Sequence, residues 1–357
     1  VTRARGPLAA LIAAALAAAL FMAPISPAWI EGRYANGIYA VLADTFVPLA
    51  NAAPFAVGDL LVALAGLGFI GFAIRRVRRG GRFAIVAVLL GLVTLGGALG
   101  IWFQVAWGLN YRRVPIAYRV AYDGSRVTDA AVAAFARTIV DDLNRTAPAA
   151  HREMARAGDA DTTVLERDFL PVVARLGDTY RVRVSAPKTS LVLDRWFQIA
   201  GIGGMFDPFA YETVLNSAFL PFERPFALAH EWGHVAGFTA EGDANLIAAL
   251  TCLRSHDPLI RYSGLFWIYG YLPGDVTARY AVSALVRADE RAAQARFLRY
   301  YQPWIYSLQW RAYDVYLRAN RVASGVRSYG EFTSLLVGTP RDAQGLPSTS
   351  RTDQARL

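Results

Sequence analysis

Cysteine is nearly absent from this chain. Cys252 stands alone, so no disulfide can close within it and stability has to come from packing. Histidine is almost as sparse, at four residues in 357. No internal repeat and no Gly/Ser-rich linker divides the sequence, which leaves one folded domain of ordinary size, from about residue 110 to 337, behind the N-terminal region. Nor does a recognisable nucleic-acid module accompany the net charge of +9. Much of that charge sits in one short link and the rest is spread among acids, so the charge predicts anionic lipid as partner and no nucleic acid.

What the chain has in excess is apolar residues, 55 % of the total, concentrated at the front. Three stretches, at about 8–25, 55–74 and 83–105, are each long enough to cross a bilayer as a helix. Arg3 and Arg5 ahead of the first would also suit a cleaved signal peptide, but two further spans close behind favour a retained anchor. Arg75, Arg76, Arg78, Arg79 and Arg82 fill the link between the second and third stretches. The positive-inside rule then puts the N-terminus and that link in the cytoplasm and everything after the third span outside it, a multi-pass protein of the cytoplasmic membrane. The segment from Pro24 to Pro54, with Glu31, Asp44 and one arginine, reads as an outer loop. Trp102, Trp107 and Tyr111 read as interfacial anchors, with Arg112 and Arg113 meeting lipid headgroups. Residues 338–357, polar and rich in Pro, Ser and Arg, read as a disordered tail.

The run His230-Glu231-Trp232-Gly233-His234 carries the chemistry. Residues four apart share a helix face, so both imidazoles can meet one metal ion while Glu231 lies beside them as general base for a zinc-activated water. A third ligand is needed. An unbroken helix would carry Glu241 about 16 Å beyond His230, but Gly237 can end the helix in a left-handed turn and Thr239 can cap a second one with Glu241 in its first turn. Asn245, one turn on, would face the same way and accept the free N–H of a ligand imidazole. Asp243 is the competing carboxylate, though on a helix it points off the face shared by Glu241 and Asn245. His151 reads as a solvated helix residue and His256 as a helix end.

The fold expected is mainly α, an α+β domain with a small sheet. Asp129–Asn144 has the pattern of an amphipathic helix, Tyr180–Val184 and Ser190–Leu193 alternate as short strands, and helical patterns dominate from Pro225 onward. Tyr211–Leu215 reads as a strand, either an edge that holds substrate or part of a core hairpin. The Gly201–Gly204 run reads as a turn or a mobile lid. Tyr211, Asn216 and Tyr262 are candidate oxyanion donors, the first two also candidate substrate contacts, and Glu212 with Asn216 could form a structural pair.

Several of these residues carry a resemblance. Trp107-Gly108-Leu109-Asn110-Tyr111-Arg112, Gly201-Ile202-Gly203-Gly204 leading to Pro208-Phe209, the His230–Asn245 block, Tyr313-Asp314-Val315-Tyr316-Leu317, Ala319-Asn320 and Ser324-Gly325-Val326 resemble the domain-of-unknown-function 3810 family of bacterial membrane proteins. That family in turn resembles the gluzincin peptidases, in which His-Glu-x-x-His is completed by a Glu in a Glu-x-x-Ala-Asp/Asn motif, matched here by Glu241-Gly242-Asp243-Ala244-Asn245. The resemblance implies a zincin-like, helix-rich domain with His230, His234 and Glu241 as zinc ligands and Glu231 as base. The spacing departs from it, because only six residues separate His234 from Glu241. The function expected is a membrane-anchored zinc metallopeptidase acting on proteins or peptides outside the cytoplasmic membrane. A zinc-dependent cell-wall peptide or amide hydrolase and an inactive zinc-binding sensor or scaffold are the alternatives. Cleavage inside the membrane is disfavoured, since the polar flanks of the motif lie far from the spans.

Overall fold

The computed structural model describes residues 5–81, 83–177, 182–322 and 328–349. The chain is mainly helical, with one small sheet. Helices α1 (Arg5–Met22), α4 (Val57–Arg78) and α5 (Ala84–Ala106) form the apolar end. Two of them, α4 and α5, are each long and apolar enough to cross a membrane. The third candidate passes the same test only as a bent pair, Leu8–Met22 with Pro27–Ala52, whose halves meet at 106°. α1 packs along α5 where Gly97 faces Ala13. A Cβ at Gly97 would lie 2.7 Å from the Ala13 carbonyl carbon, so glycine is what allows the two backbones to approach.

Pro24–Pro54, expected as a loop between spans, is largely helical. A short α2 (Pro27–Trp29) runs into a π-helical stretch, Ile30–Tyr39, and then α3 (Ala40–Ala52). Ile30, Tyr34, Tyr39, Ala43 and Val47 are buried in the same core as Phe169 and Trp232. Tyr34 and Tyr39 are five apart, a spacing that falls on one face only when the helix widens to i→i+5 bonding. That spacing, with Gly32, Asn36 and Gly37 between and around the tyrosines, hides the helix from a 3.6-residue pattern.

After the turn α6 (Ile116–Arg119), the core helices follow. α7 (Asp129–Ala157) is capped by Thr128, whose hydroxyl accepts from Ala131 N–H at 3.1 Å, and it continues well past the expected end at Asn144. Its buried stripe of Ala136, Ile139, Val140, Leu143, Ala147 and Ala150 keeps the helical period. α11 (Glu241–Arg254) is the central helix, with α8 (Thr162–Arg175), α10 (Arg224–Val235), α12 (Pro258–Tyr271) and α16 (Ser328–Gly338) packed around it; α7 lies against α12, α13 (Gly274–Thr277) and α14 (Ala284–Tyr300), and α9 (Asp194–Ala200) packs with α15 (Pro303–Ala319).

The sheet has the order β1-β3-β2, from β1 (Pro187–Lys188), β2 (Gly204–Asp207) and β3 (Glu212–Leu215). β2 pairs antiparallel with β3, Gly204 opposite Leu215, and β1 pairs parallel with β3. The strand foreseen at Tyr211–Leu215 therefore exists from Glu212 but is central; the edges are β1 and β2. Tyr180–Val184 and Ser190–Leu193 are not strands where they are described, and 178–181 lie outside the described residues. Around Ser190 the backbone is taken by side chains instead: Ser190 Oγ accepts from Leu193 N–H at 2.8 Å and Asp59 from Leu191 N–H at 2.6 Å.

The expected disordered tail does not hold for residues 339–349. Val120 bridges to Thr349, Arg341 to Pro347, Asp342 pairs with Arg175 at 2.9 Å, and Leu346 is buried.

Candidate metal centre

α10 opens with Pro225 in its first turn, where the missing N–H costs nothing. It closes in a Schellman turn. Gly237 has φ +82°, its N–H donates to His234 O at 2.9 Å, and Phe238 N–H donates to Gly233 O at 3.0 Å. The chain then turns back into α11, whose cap position is Ala240 with no side-chain bond, not Thr239, which is buried beside it. The two helices cross at Gly233, where a Cβ would stand 3.3 Å from Ala244 Cα.

This close crossing brings three ligand atoms together. His230, His234 and Glu241 each offer one atom, all within 4.8 Å of one another, and no other group of three or more His, Cys, Asp or Glu among the described residues does so. Glu241 Oε2 lies 3.1 Å from His230 Nε2 and 3.6 Å from His234 Nε2. The other ring nitrogens face acceptors: His230 Nδ1 is 2.8 Å from Asn245 Oδ1 and His234 Nδ1 is 2.7 Å from Phe238 O. With the protons on Nδ1, both Nε2 lone pairs point at the buried Glu241 Oε2, which has no hydrogen-bond partner of its own. Three acceptors converging at one point on a cavity floor are balanced by positive charge between them, so the donor set fits a divalent metal. The electrostatics agree in sign. Burial works against the His234 imidazolium, but Glu241 outweighs it and pushes the group up to about 9. Burial likewise opposes the Glu241 carboxylate, and the two imidazoles hold it well below the usual range.

Glu231 is buried beside the pair, with Oε2 unpartnered. Its carboxyl is raised by burial, an effect the imidazoles only partly offset, and it accepts from the Phe206 backbone N–H on β2. At Gly204, the first residue of β2, a Cβ would lie 3.1 Å from Glu231 Oε1 and 2.9 Å from Val214 O, so only glycine lets the edge strand come this close. Glycines 201 and 204 are thus a helix end, with φ +69° at Gly201, and the start of the edge strand; the structure shows no lid there.

Of the remaining expected residues, Asn245 is placed as foreseen. Asp243 is not part of the cluster. Its Oδ2 accepts from Ile116 N–H at 3.3 Å, and desolvation, moderated by that bond and by Arg119 and Arg113, pushes the carboxyl up to about 6. The three candidate oxyanion donors are occupied elsewhere. Tyr211 OH donates to Ala106 O at 2.7 Å, Asn216 Nδ2 to Ile202 O at 2.9 Å, and Tyr262 OH to Asp289 at 2.5 Å. Glu212 does not pair with Asn216; its carboxylate caps α4 by accepting from Val57 N–H at 2.8 Å and Gly58 N–H at 2.7 Å.

Sequence reasoning missed the tyrosines. Tyr313 OH donates to Glu241 Oε1, which leaves Oε2 facing the two imidazoles. Tyr316 stacks on it at 5.7 Å and hydrogen-bonds Tyr111 at 3.3 Å. Burial pushes Tyr111 and Tyr271 far up, and Tyr316 up to about 12, so all three stay neutral donors. The spacing of Tyr313 and Tyr316, one helical turn apart in a segment already quoted for the family resemblance, was the available signal.

The C-terminal carbonyls of the metal helix are covered by donors from the N-terminal part of the chain. Trp107 Nε1 donates to His234 O at 2.9 Å, Tyr39 OH to Val235 O at 2.7 Å, and Arg113 Nη1 to Ala236 O at 3.0 Å. Trp107 and Arg113 are therefore internal, not lipid anchors. Arg113 also pairs with buried Glu31 at 3.1 Å, as does Arg119, while Arg112 caps α1 through Leu20 O and Ala23 O at 2.6 and 2.8 Å. The site itself floors a cavity of about 690 Å³ walled by β2 and by rings from α5, α12 and α15.

The family model described as protein of unknown function (DUF3810) matches residues 34–337, most of the chain. No curated protein and no solved structure matches it. The chain belongs to the DUF3810 family.

Proposed function

We propose that this family member is a membrane-anchored, zinc-dependent metallopeptidase that hydrolyses peptide bonds outside the cytoplasmic membrane. The observation that carries the reading is the convergence of His230, His234 and Glu241 on one point in the floor of a cleft, with Glu231 beside them and a strand edge along the wall. Zinc held by these three would polarise a carbonyl and acidify a water. The chain's own residues do the rest. Asn245 and Phe238 O fix the imidazole tautomers, and Tyr313 holds Glu241 in one orientation. Glu231, its proton affinity raised by burial, takes a proton from the attacking water and returns it to the leaving amine. β2, an edge strand that lines the cleft, gives its Phe206 N–H to Glu231 and offers the rest of that edge to an extended substrate.

The test is proteolysis by the full chain in lipid, zinc-loaded, against a pooled peptide library. Cleavage that a chelator abolishes and that Glu231→Gln loses, with its metal retained, is the expected result. Equal cleavage by Glu231→Gln would refute the assignment.

A further inference from the structure

The roof of the cleft is α15, and its two faces differ. Trp310, Tyr313 and Tyr316 line the cavity. On the opposite face Trp304, Leu308 and Val315 form one stripe at i, i+4 and i+11, and they are 67, 56 and 67 % exposed. Arg311 lies within the stripe and Arg318 continues it beyond Val315, side chains long enough to carry their charge to the edge of an apolar layer. Three large apolar side chains this exposed along one helix face are not the surface of a helix bathed in water.

Both ends of α15 are tied to the ends of the apolar helices. At its C-terminal end Tyr316 packs on Phe103, in the last turn of α5, at 6.3 Å, and Arg321 reaches Ala23 O just past α1 at 3.5 Å. At its N-terminal end Gln302 N–H donates to Ile199 O on α9. The turn before α9 is in turn bonded to Asp59 in the first turn of α4, through Ser190 Oγ and Leu191 N–H. A helix of about 25 Å held in this way runs across the ends of the spans and not away from them. The tip that touches Asp59 is itself apolar and open: Leu191 is 90 % and Val192 53 % exposed, level with the first turn of α4. The stripe and the tip thus continue the apolar surface of α4 and α5.

The cavity beneath matches such a location. Phe, Trp and Tyr make up about half of its lining, and no lysine or arginine is among the residues that line it. Away from the ligand cluster on the floor, a free substrate terminus would find no counter-charge for its carboxylate, whereas a neutral apolar segment would find rings on several sides.

We propose that the outer face of α15 and the Leu191–Val192 tip rest in the bilayer surface, so that the cleft opens at the lipid boundary and takes apolar chain segments presented there. The substrate class rests on the peptidase reading; the membrane contact does not. The experiment uses the full chain in phosphatidylcholine/phosphatidylglycerol vesicles, with Leu191→Cys, Trp304→Cys, Leu308→Cys and Val315→Cys made singly and labelled with a fluorophore, and Arg137→Cys on exposed α7 as reference. Cys252 is buried and is left in place. Nitroxide-bearing lipid should quench the four test positions several-fold more than position 137, and aqueous iodide should do the reverse. Quenching by iodide equal to that at 137 overturns the proposal, and so does protection from both quenchers, which would mean a second protein covers the face. The substrate class is then read from one apolar peptide offered with and without an acyl anchor. Faster cleavage of the anchored form, by about tenfold from its raised local concentration, supports it, and equal rates overturn it. Cleavage of neither refutes the peptidase reading and leaves the quenching result to decide the membrane contact.

Discussion

α4 and α11 are both apolar helices, and they meet opposite surroundings. In α4 only Gly58 is buried, and Leu61, Leu64, Leu67 and Ile70 all stand out from the protein. In α11 every residue from Glu241 to Cys252 is buried except Asp243. Hydrophobicity alone therefore does not distinguish the two. What distinguishes them is polarity by position. Both set small residues among large ones, but α11 places Glu241 and Asn245 where partners wait, whereas α4 carries no polar side chain between Asp59 and Arg75. The first pattern specifies a protein neighbour and the second accepts any apolar medium.

The two regions are nevertheless joined by polar contacts, and several measurements would break or sharpen the contrast. The largest effect should follow removal of residues 1–106. It strips Tyr39 from the end of the metal helix and Tyr34, Tyr39 and Val47 from the core, and the remainder is expected to show no cooperative thermal transition. Glu31→Ala leaves Arg113 and Arg119 buried without their carboxylate and should cost about 3–5 kcal/mol, read from denaturant unfolding in detergent. Leu246→Ala in α11 should cost about 2–5 kcal/mol by the same measurement. Asn245→Ala removes the acceptor that orients His230 and should weaken zinc binding by about 10- to 100-fold in a competition titration with little change in melting temperature. The smallest effect belongs to Leu64→Ala on α4, 58 % exposed, at no more than about 0.5 kcal/mol. A cost there equal to that of Leu246→Ala would show that α4 packs against something other than lipid.

Much of the site was legible because its chemistry is local. His230, Glu231 and His234 lie within one helix, and Gly237 announces the turn that returns Glu241 to them. Asn245 followed from the same helix geometry. The misassigned side chains share a cause: each depends on a partner far along the chain. Tyr211, Trp107 and Arg113 have the residue types expected of a catalytic donor or a lipid anchor, but their bonds go to Ala106, His234 and Glu31. Tyr313 lies 72 residues from the glutamate it holds. The helix at Ile30–Tyr39 escaped because its period is not 3.6, and the order of residues 339–349 because isolated bridges and one ion pair leave no pattern. The three apolar stretches were visible from composition, yet among the described residues only α4 and α5 qualify alone, the first passing the same test together with the bent segment that follows it.

The central claim is that His230, His234 and Glu241 hold one metal ion. Elemental analysis of the purified full chain, dialysed with zinc and then against a weak chelator, tests it most directly. About one zinc per chain is predicted, lost in His230→Ala and Glu241→Ala and kept in Asp243→Asn. A wild-type chain without bound metal, or a Glu241→Ala variant that retains the full equivalent, would contradict it.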